Sequence, residues 1–216
     1  NSIVAAGENA CILHYDRNDA EVKDGDLILI DAGCEYKYYA SDITRTFPAN
    51  GTFNPQQRAI YELVLKAQDS AIDAVQPGAP WDAPHNASVR VITQGLIKLG
   101  LIEGTLAKAI KAEAYRDFYM HRVGHWIGID VHDVGDYKID EKWRLLEPGM
   151  VTTIEPGIYI APDNKHVPKK WRGIGVRIED DVLVTKNGNR VLTTGIPKTV
   201  AEIETFMAQA KQKRAA

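Results

Sequence analysis

Three of the chain's six histidines fall within twelve positions, in the stretch MHRVGHWIGIDVHDVG from Met120 to Gly135. His121 and His125 stand four apart, a spacing that on a helix would suggest a metal pair. The glutamate of an HExxH motif is missing, however, and Gly124 and Gly128 weaken a helix here. IGIDVHDVG alternates like a strand or an extended loop. Three histidines in a glycine-rich stretch point to a site, but spacing alone does not say which of them would bind a metal.

The carboxylates carry more information. Asp31 follows the apolar run Leu27-Ile28-Leu29-Ile30, and Glu155 follows Val151 to Ile154. A carboxylate in such surroundings must be paired, protonated or bound to a cation. Only Arg45 and Arg177 suggest themselves as nearby partners. The two acids also occupy matched positions of an internal repeat. DGDLILIDAG (24–33) aligns without a gap on PGMVTTIEPG (148–157), bringing Gly25 onto Gly149, Asp31 onto Glu155 and Gly33 onto Gly157. Each copy reads as a turn, an apolar strand, one carboxylate and a glycine. A histidine lies upstream of each, His14 and His132, at unequal spacing. Another acid lies downstream of each, Asp42 in SDITRTF and Glu179 in RIEDDVLV.

Two copies of one supersecondary unit would gather four carboxylates around a pseudo-twofold axis. Two divalent cations would balance them. Two ions about 3.5–4 Å apart can activate a bridging water and polarise a carbonyl or phosphoryl oxygen. Oxygen-rich ligation with one imidazole suits manganese, with cobalt, iron or zinc as substitutes. A sulfur-rich structural zinc site is excluded, since no CxxC pair exists.

The elements that must position these residues read as strands, helices, strands and a helix, an α+β order. Residues 26–34 and 38–47 read as consecutive strands joined at Glu35-Tyr36-Lys37. Asn54-Pro55-Gln56-Gln57 supplies an N-cap, a proline at the first helical position and a glutamine suited to a capping box. Ile60, Val64, Ala67, Ala71 and Val75 then keep one helical face apolar until Pro77-Gly78. A second helix is expected over about 82–99, with Val89, Ile92, Leu96 and Leu99 inward, and a shorter one over 105–114. Residues 117–194 read as strand-like, and 200–213 as a closing amphipathic helix.

At 216 residues the chain can bury a substantial core, and its net charge of −3 advertises neither nucleic acid nor an anionic membrane. No apolar run approaches the roughly 20 residues of a membrane span. Cys11 and Cys34 make a poor disulfide framework and read as buried thiols, which favours a reducing, cytoplasmic compartment.

IDAG, the aspartate eleven positions on in SDITRTF, and then GHWIG, VHDVG, IEPGIYI and GIGVRIEDDVLVT together resemble the pita-bread metallopeptidases. Within that family the likeness is greatest to the aminopeptidase P branch, and it runs from Asn1 to about Thr193. The resemblance implies a pita-bread fold of two pseudo-twofold-related halves, with a curved antiparallel sheet covered by helices. It implies metal ligands at Asp31, Asp42, His125, Glu155 and Glu179, with Asp42 and Glu179 bridging two ions. It also implies substrate-side roles for His14, His121, His132 and Arg177, and a proton-shuttling role for Glu155, with His121 and His132 also catalytic. The implied reaction is hydrolysis, by a bridging hydroxide, of the N-terminal peptide bond of peptides with proline second.

Prolidase, acting on Xaa-Pro dipeptides, is the nearest rival, and methionine aminopeptidase shares the five ligands. An inactive binding module is a further one. Arg122 departs from the small residue that many relatives carry between the histidines. Residues 1–216 are expected to be a catalytic domain incomplete at its N-terminus. Its first half would lack upstream helices and pack with a missing N-terminal portion, and the full-length form is expected to be a homo-oligomer.

Overall fold

The structure, a computed structural model, describes residues 2–215. β1 (Ile3–Ala6) and β2 (Leu27–Ala32) are followed by two-residue strands β3 (Glu35–Tyr36) and β4 (Tyr39–Ala40), then by β5 (Ile43–Pro48). Three helices come next: α1 (Pro55–Asp73), α2 (Ala83–Lys98) and α3 (Leu106–Lys111). A second pair of two-residue strands, β6 (Lys138–Ile139) and β7 (Lys142–Trp143), precedes β8 (Val151–Ile154) and β9 (Gly157–Ile160). β10 (Ile174–Arg177), β11 (Asp180–Thr185), β12 (Gly188–Val191) and α4 (Val200–Ala215) complete the chain.

The repeat appears as strand pairing. β2 pairs antiparallel with β5, and β8 pairs antiparallel with β11. In each pair the first strand carries or abuts one acid, Asp31 or Glu155, and the second starts directly after another, Asp42 or Glu179. The outer strands differ: β1 flanks β2, whereas β12 flanks β11. β9 and β10 form a separate antiparallel hairpin, with Gly157 opposite Arg177.

The helices form where local chemistry asks for them. Asn54 accepts from the backbone N–H groups of Gln56 and Gln57 at 3.0 and 2.9 Å, while Gln57 accepts from that of Asn54 at 3.0 Å, so the capping box closes around Pro55. Ile60, Val64, Ala67, Ala71 and Val75 are all fully buried. Ile60, Val64 and Ala67 share a core with Val89, Ile92 and Leu96 of α2 and with Ile158, Ile160, Val176 and Ile178, whereas Ala71 and Val75 pack into a second core with Ile154, Val182 and Val184. Val200 and Ile203 anchor α4 on the first core. Thr199 and Glu202 close a reciprocal cap at its start, with bonds of 2.9 and 3.2 Å.

Three expectations are corrected. The link between β2 and β5 is not a simple turn: it folds into the β3–β4 hairpin, with Lys37 and Tyr38 at φ of 53° and 65°. Residues 118–137 are not strands. Their only ladder-type link among the described residues is an isolated bridge from Trp126 to Thr152, because Gly124, Gly128 and Gly135 press against neighbouring groups and irregular backbone fits there. Cys34 is exposed where the chain leaves β2 and is not the buried thiol expected, whereas Cys11 is half-buried and its Sγ donates to the Ile160 carbonyl at 3.4 Å.

Candidate active site

Seven segments deliver the predicted residues to one place. Asp31 is next to last in β2, Asp42 precedes β5, Glu155 joins β8 to β9, Arg177 ends β10, and Glu179 precedes β11. His121, His125 and His132 come from the irregular segment, and His14 from the turn after a short 3-10 helix (Gly7–Cys11). All nine line a single cavity of about 340 Å³, joined by Leu13, Arg122, Gly124 and Tyr137.

The histidine segment is held by the edge of β8. The Thr153 N–H donates to the His125 carbonyl at 3.0 Å, and the Glu155 N–H donates to the Val123 carbonyl at 2.7 Å. The His125 N–H donates to Thr153 Oγ1 at 3.1 Å. On the His125 ring, Nδ1 lies 2.9 Å from the Trp126 carbonyl and must carry a proton, so that in the neutral ring the lone pair is on Nε2. That Nε2 sits 3.6 Å from both Asp42 Oδ2 and Glu155 Oε1. Donor atoms of Asp42, His125 and Glu179 all lie within 4.8 Å of one another.

Arg177, 3% exposed, divides its guanidinium among Asp31 Oδ2 at 2.7 Å, the Tyr159 hydroxyl at 3.1 Å and Thr44 Oγ1 at 3.3 Å. Thr44 Oγ1 in turn donates to Glu179 Oε2 at 2.6 Å. Of the two roles expected for the arginine, the geometry serves the fixing of carboxylates. His121 has both ring nitrogens engaged: Nδ1 donates to the Arg122 carbonyl at 2.7 Å, and Nε2 accepts from the Tyr159 hydroxyl at 2.9 Å. Tyr159 and Thr44 are therefore parts of the site that residue types did not announce. The one available signal was strand alternation, which sets Tyr159 on the same face of the β9–β10 hairpin as Arg177.

Crowding of buried acids dominates the electrostatics. Burial lifts Glu155 to about 7, against the pull of His125 and Arg177. Burial, reinforced by Glu155, Asp42 and Asp31, holds Glu179 well above the usual carboxylate range. Asp31 is raised by burial, with Arg177 opposing. At Asp42 burial is outweighed by hydrogen bonding to His125 and Asp31, and the net shift is downward. Burial presses His121 down to about 4, while His125 is raised because its carboxylate partners overcome burial.

The donor set fits divalent metal. Glu179 Oε1 is buried with no hydrogen-bond partner, as an oxygen reserved for a cation would be. Four carboxylates and one imidazole that offers Nε2 when neutral make an oxygen-rich set of the kind manganese accepts.

Residues 1–186 match the model of metallopeptidase family M24. The chain is 57% identical over 207 residues to a Haemophilus influenzae Xaa-Pro aminopeptidase and 51% identical over 213 residues to the Escherichia coli one. These alignments cover 96% and 99% of the chain but 48% of each relative, so the chain spans about half the length of the curated relatives it matches. Among solved structures, Pseudomonas aeruginosa aminopeptidase PepP superposes with a TM-score of 0.97 at 69% identity, over 98% of this chain and 48% of that one. Proline aminopeptidase P II from Yersinia pestis follows at 0.93 and 52%, over 97% and 48%. The paired strand units, the helices covering them and these superpositions define a pita-bread fold, and with the family match over 186 of its residues the chain belongs to metallopeptidase family M24.

Proposed function

We propose that the protein carrying this chain is a Xaa-Pro aminopeptidase, which removes the first residue from peptides whose second residue is proline. The observation that carries the reading is the convergence of Asp31, Asp42, His125, Glu155 and Glu179 on one cavity. The names of the relatives supply the substrate class. In this reading the five residues hold two divalent ions, manganese by preference. When bound, the ions polarise the scissile carbonyl and activate the attacking water.

The chain's own residues supply the rest. Glu155, on the cavity wall, takes a proton from the attacking water and passes it to the departing proline nitrogen. His132 lines the cavity with no hydrogen bond from its ring to the described residues, so it is free to meet the substrate carbonyl. His121 meets substrate only by giving up its bond from Tyr159 or its bond to Arg122. His14, on the same wall, faces the peptide as it enters. The free amine of the substrate is drawn to the acidic floor. Proline in second place brings no amide hydrogen and a fixed φ, so the wall beyond the acids must accept a ring.

The same reading makes residues 1–216 the catalytic domain of a longer, cytoplasmic, homo-oligomeric protein, in keeping with the greater length of the relatives. The test is hydrolysis of a Xaa-Pro-Yaa tripeptide with added Mn²⁺, alongside a Xaa-Pro dipeptide and a Met-Gly-Yaa tripeptide. Metal-dependent release of the first residue from the Xaa-Pro tripeptide alone is expected. Cleavage of the dipeptide alone would mean prolidase, and cleavage of Met-Gly would mean a methionine aminopeptidase. No cleavage of any peptide by the metal-loaded full-length protein would favour a binding module.

A further inference from the structure

Arg45 is a buried arginine, 8% exposed, that does not line the cavity. It stands on β5 three residues after Asp42 and reaches across to the start of β11. Its Nη1 donates to the Glu179 carbonyl at 2.6 Å and to the Thr44 carbonyl at 3.0 Å, and its Nη2 donates to Asp180 Oδ1 at 2.7 Å. The Glu179 N–H donates to the Thr44 carbonyl at 3.1 Å. Both backbone polar groups of Glu179 are thus held from β5, the strand that Asp42 introduces.

Asp180 does not need Arg45 for neutralisation. It also receives Lys198 Nζ at 3.1 Å, Thr193 Oγ1 at 2.8 Å and Gln68 Nε2 at 3.1 Å. Meanwhile Arg45 Nε is buried with no partner, a cost that an arginine kept only as a counter-charge would not repay. What a lysine in its place lacks is the planar fork, which grips a carbonyl and a carboxylate at once.

We infer that Arg45 is a positioning residue: its fork clamps the backbone of Glu179 to the strand that Asp42 introduces, and so fixes the spacing of these two acids across the pseudo-twofold axis. The inference rests on the reading of Asp42 and Glu179 as metal ligands. Groups that orient ligands from outside the coordination shell typically account for about 10–100-fold in metal affinity.

The test is Mn²⁺ binding by isothermal titration to metal-free wild type, R45Q and R45K, with thermal melts of each and kcat and KM measured at saturating metal. R45Q leaves Asp180 with Lys198, Thr193 and Gln68, so a cooperative melt is expected. Its Mn²⁺ affinity is expected to fall about tenfold to a hundredfold, with kcat falling more than KM rises. R45K is expected to melt like wild type and yet recover little of that affinity. Where R45Q does not fold, R45K carries the comparison. R45Q binding Mn²⁺ within about twofold of wild type, or R45K restoring full affinity, overturns the clamp. A wild-type protein that takes up no Mn²⁺ overturns the metal-site reading, and the clamp with it.

Discussion

Asp181 shows how far burial alone bends the chemistry of a single residue near this cavity. One of its oxygens accepts the Asp42 N–H at 3.2 Å, while Oδ1 is buried without a partner. Burial lifts its carboxyl to about 7, with the charges of Asp42 and Asp180 adding to the rise and the bond from Asp42 opposing it. A folded-state value above the unfolded one of about 3.9 means that the folded chain holds this proton more tightly. The contribution is fully present below about pH 4 and is lost as pH rises through 7. Asp181→Asn removes that titration. In the metal-free form the variant should exceed wild type in stability at pH 8, by on the order of 2 kcal/mol, with the gap closing by pH 4. Urea unfolding in chelator at the two pH values checks this, and identical pH responses of the two proteins would refute it.

At the scale of elements, the site depends on an irregular segment lying directly against a strand. A Cβ on Gly124 would sit 1.9 Å from the Thr153 carbonyl oxygen, and one on Gly33 would sit 1.7 Å from that of Ser41. Neither glycine is needed for a turn of unusual φ; each is needed because backbone meets backbone with no room for a methyl group. Gly124→Ala must push the histidine segment off β8 and break the bonds that His125 and Val123 make there. A loss of roughly 2–4 kcal/mol is expected from such overpacking and broken pairing. It would be read as a lowered Tm, with His125 displaced and peptidase activity falling at least tenfold. A Gly124→Ala protein with wild-type Tm and activity would show that the close approach is not required.

For the molecule as a whole, the proposed cation site couples folding to cation binding. Four carboxylates from separate elements crowd one cavity, and no unfolded chain presents that arrangement. Ligand that binds only the folded state adds about 2.7 kcal/mol of stability at a hundred times its Kd. Mn²⁺ at that excess should therefore raise the thermal midpoint by several degrees, and a chelator should reverse the rise. His125→Ala should abolish most of it. A midpoint indifferent to Mn²⁺ and to chelator would count against cation binding in the cavity. The relatives are about twice as long as this chain, so the same melts on the longer protein would give the midpoint shift in its full setting.

Much of this was legible in the linear sequence because it depends on local rules. The capping box at Asn54, the buried stripe from Ile60 to Val75 and the matched strands that lead to Asp31 and Glu155 all follow from side-chain type and period. The repeat also foretold that four acids belong together, since two copies of one unit pack about an axis. Periodicity misjudged the segment from 118 to 137, whose alternation suggested strand. Its shape is set by backbone bonds to the end of β8 and by Gly124 pressed against Thr153, neither of which is a local property. Only the tertiary structure decided that Arg177 turns to Asp31, that Tyr159 reaches His121, and that Arg45 holds Glu179. In each case the partners lie on separate elements, 38 to 146 positions apart in the chain, and their contact is created by the packing of one half of the repeat against the other and of the histidine segment against both.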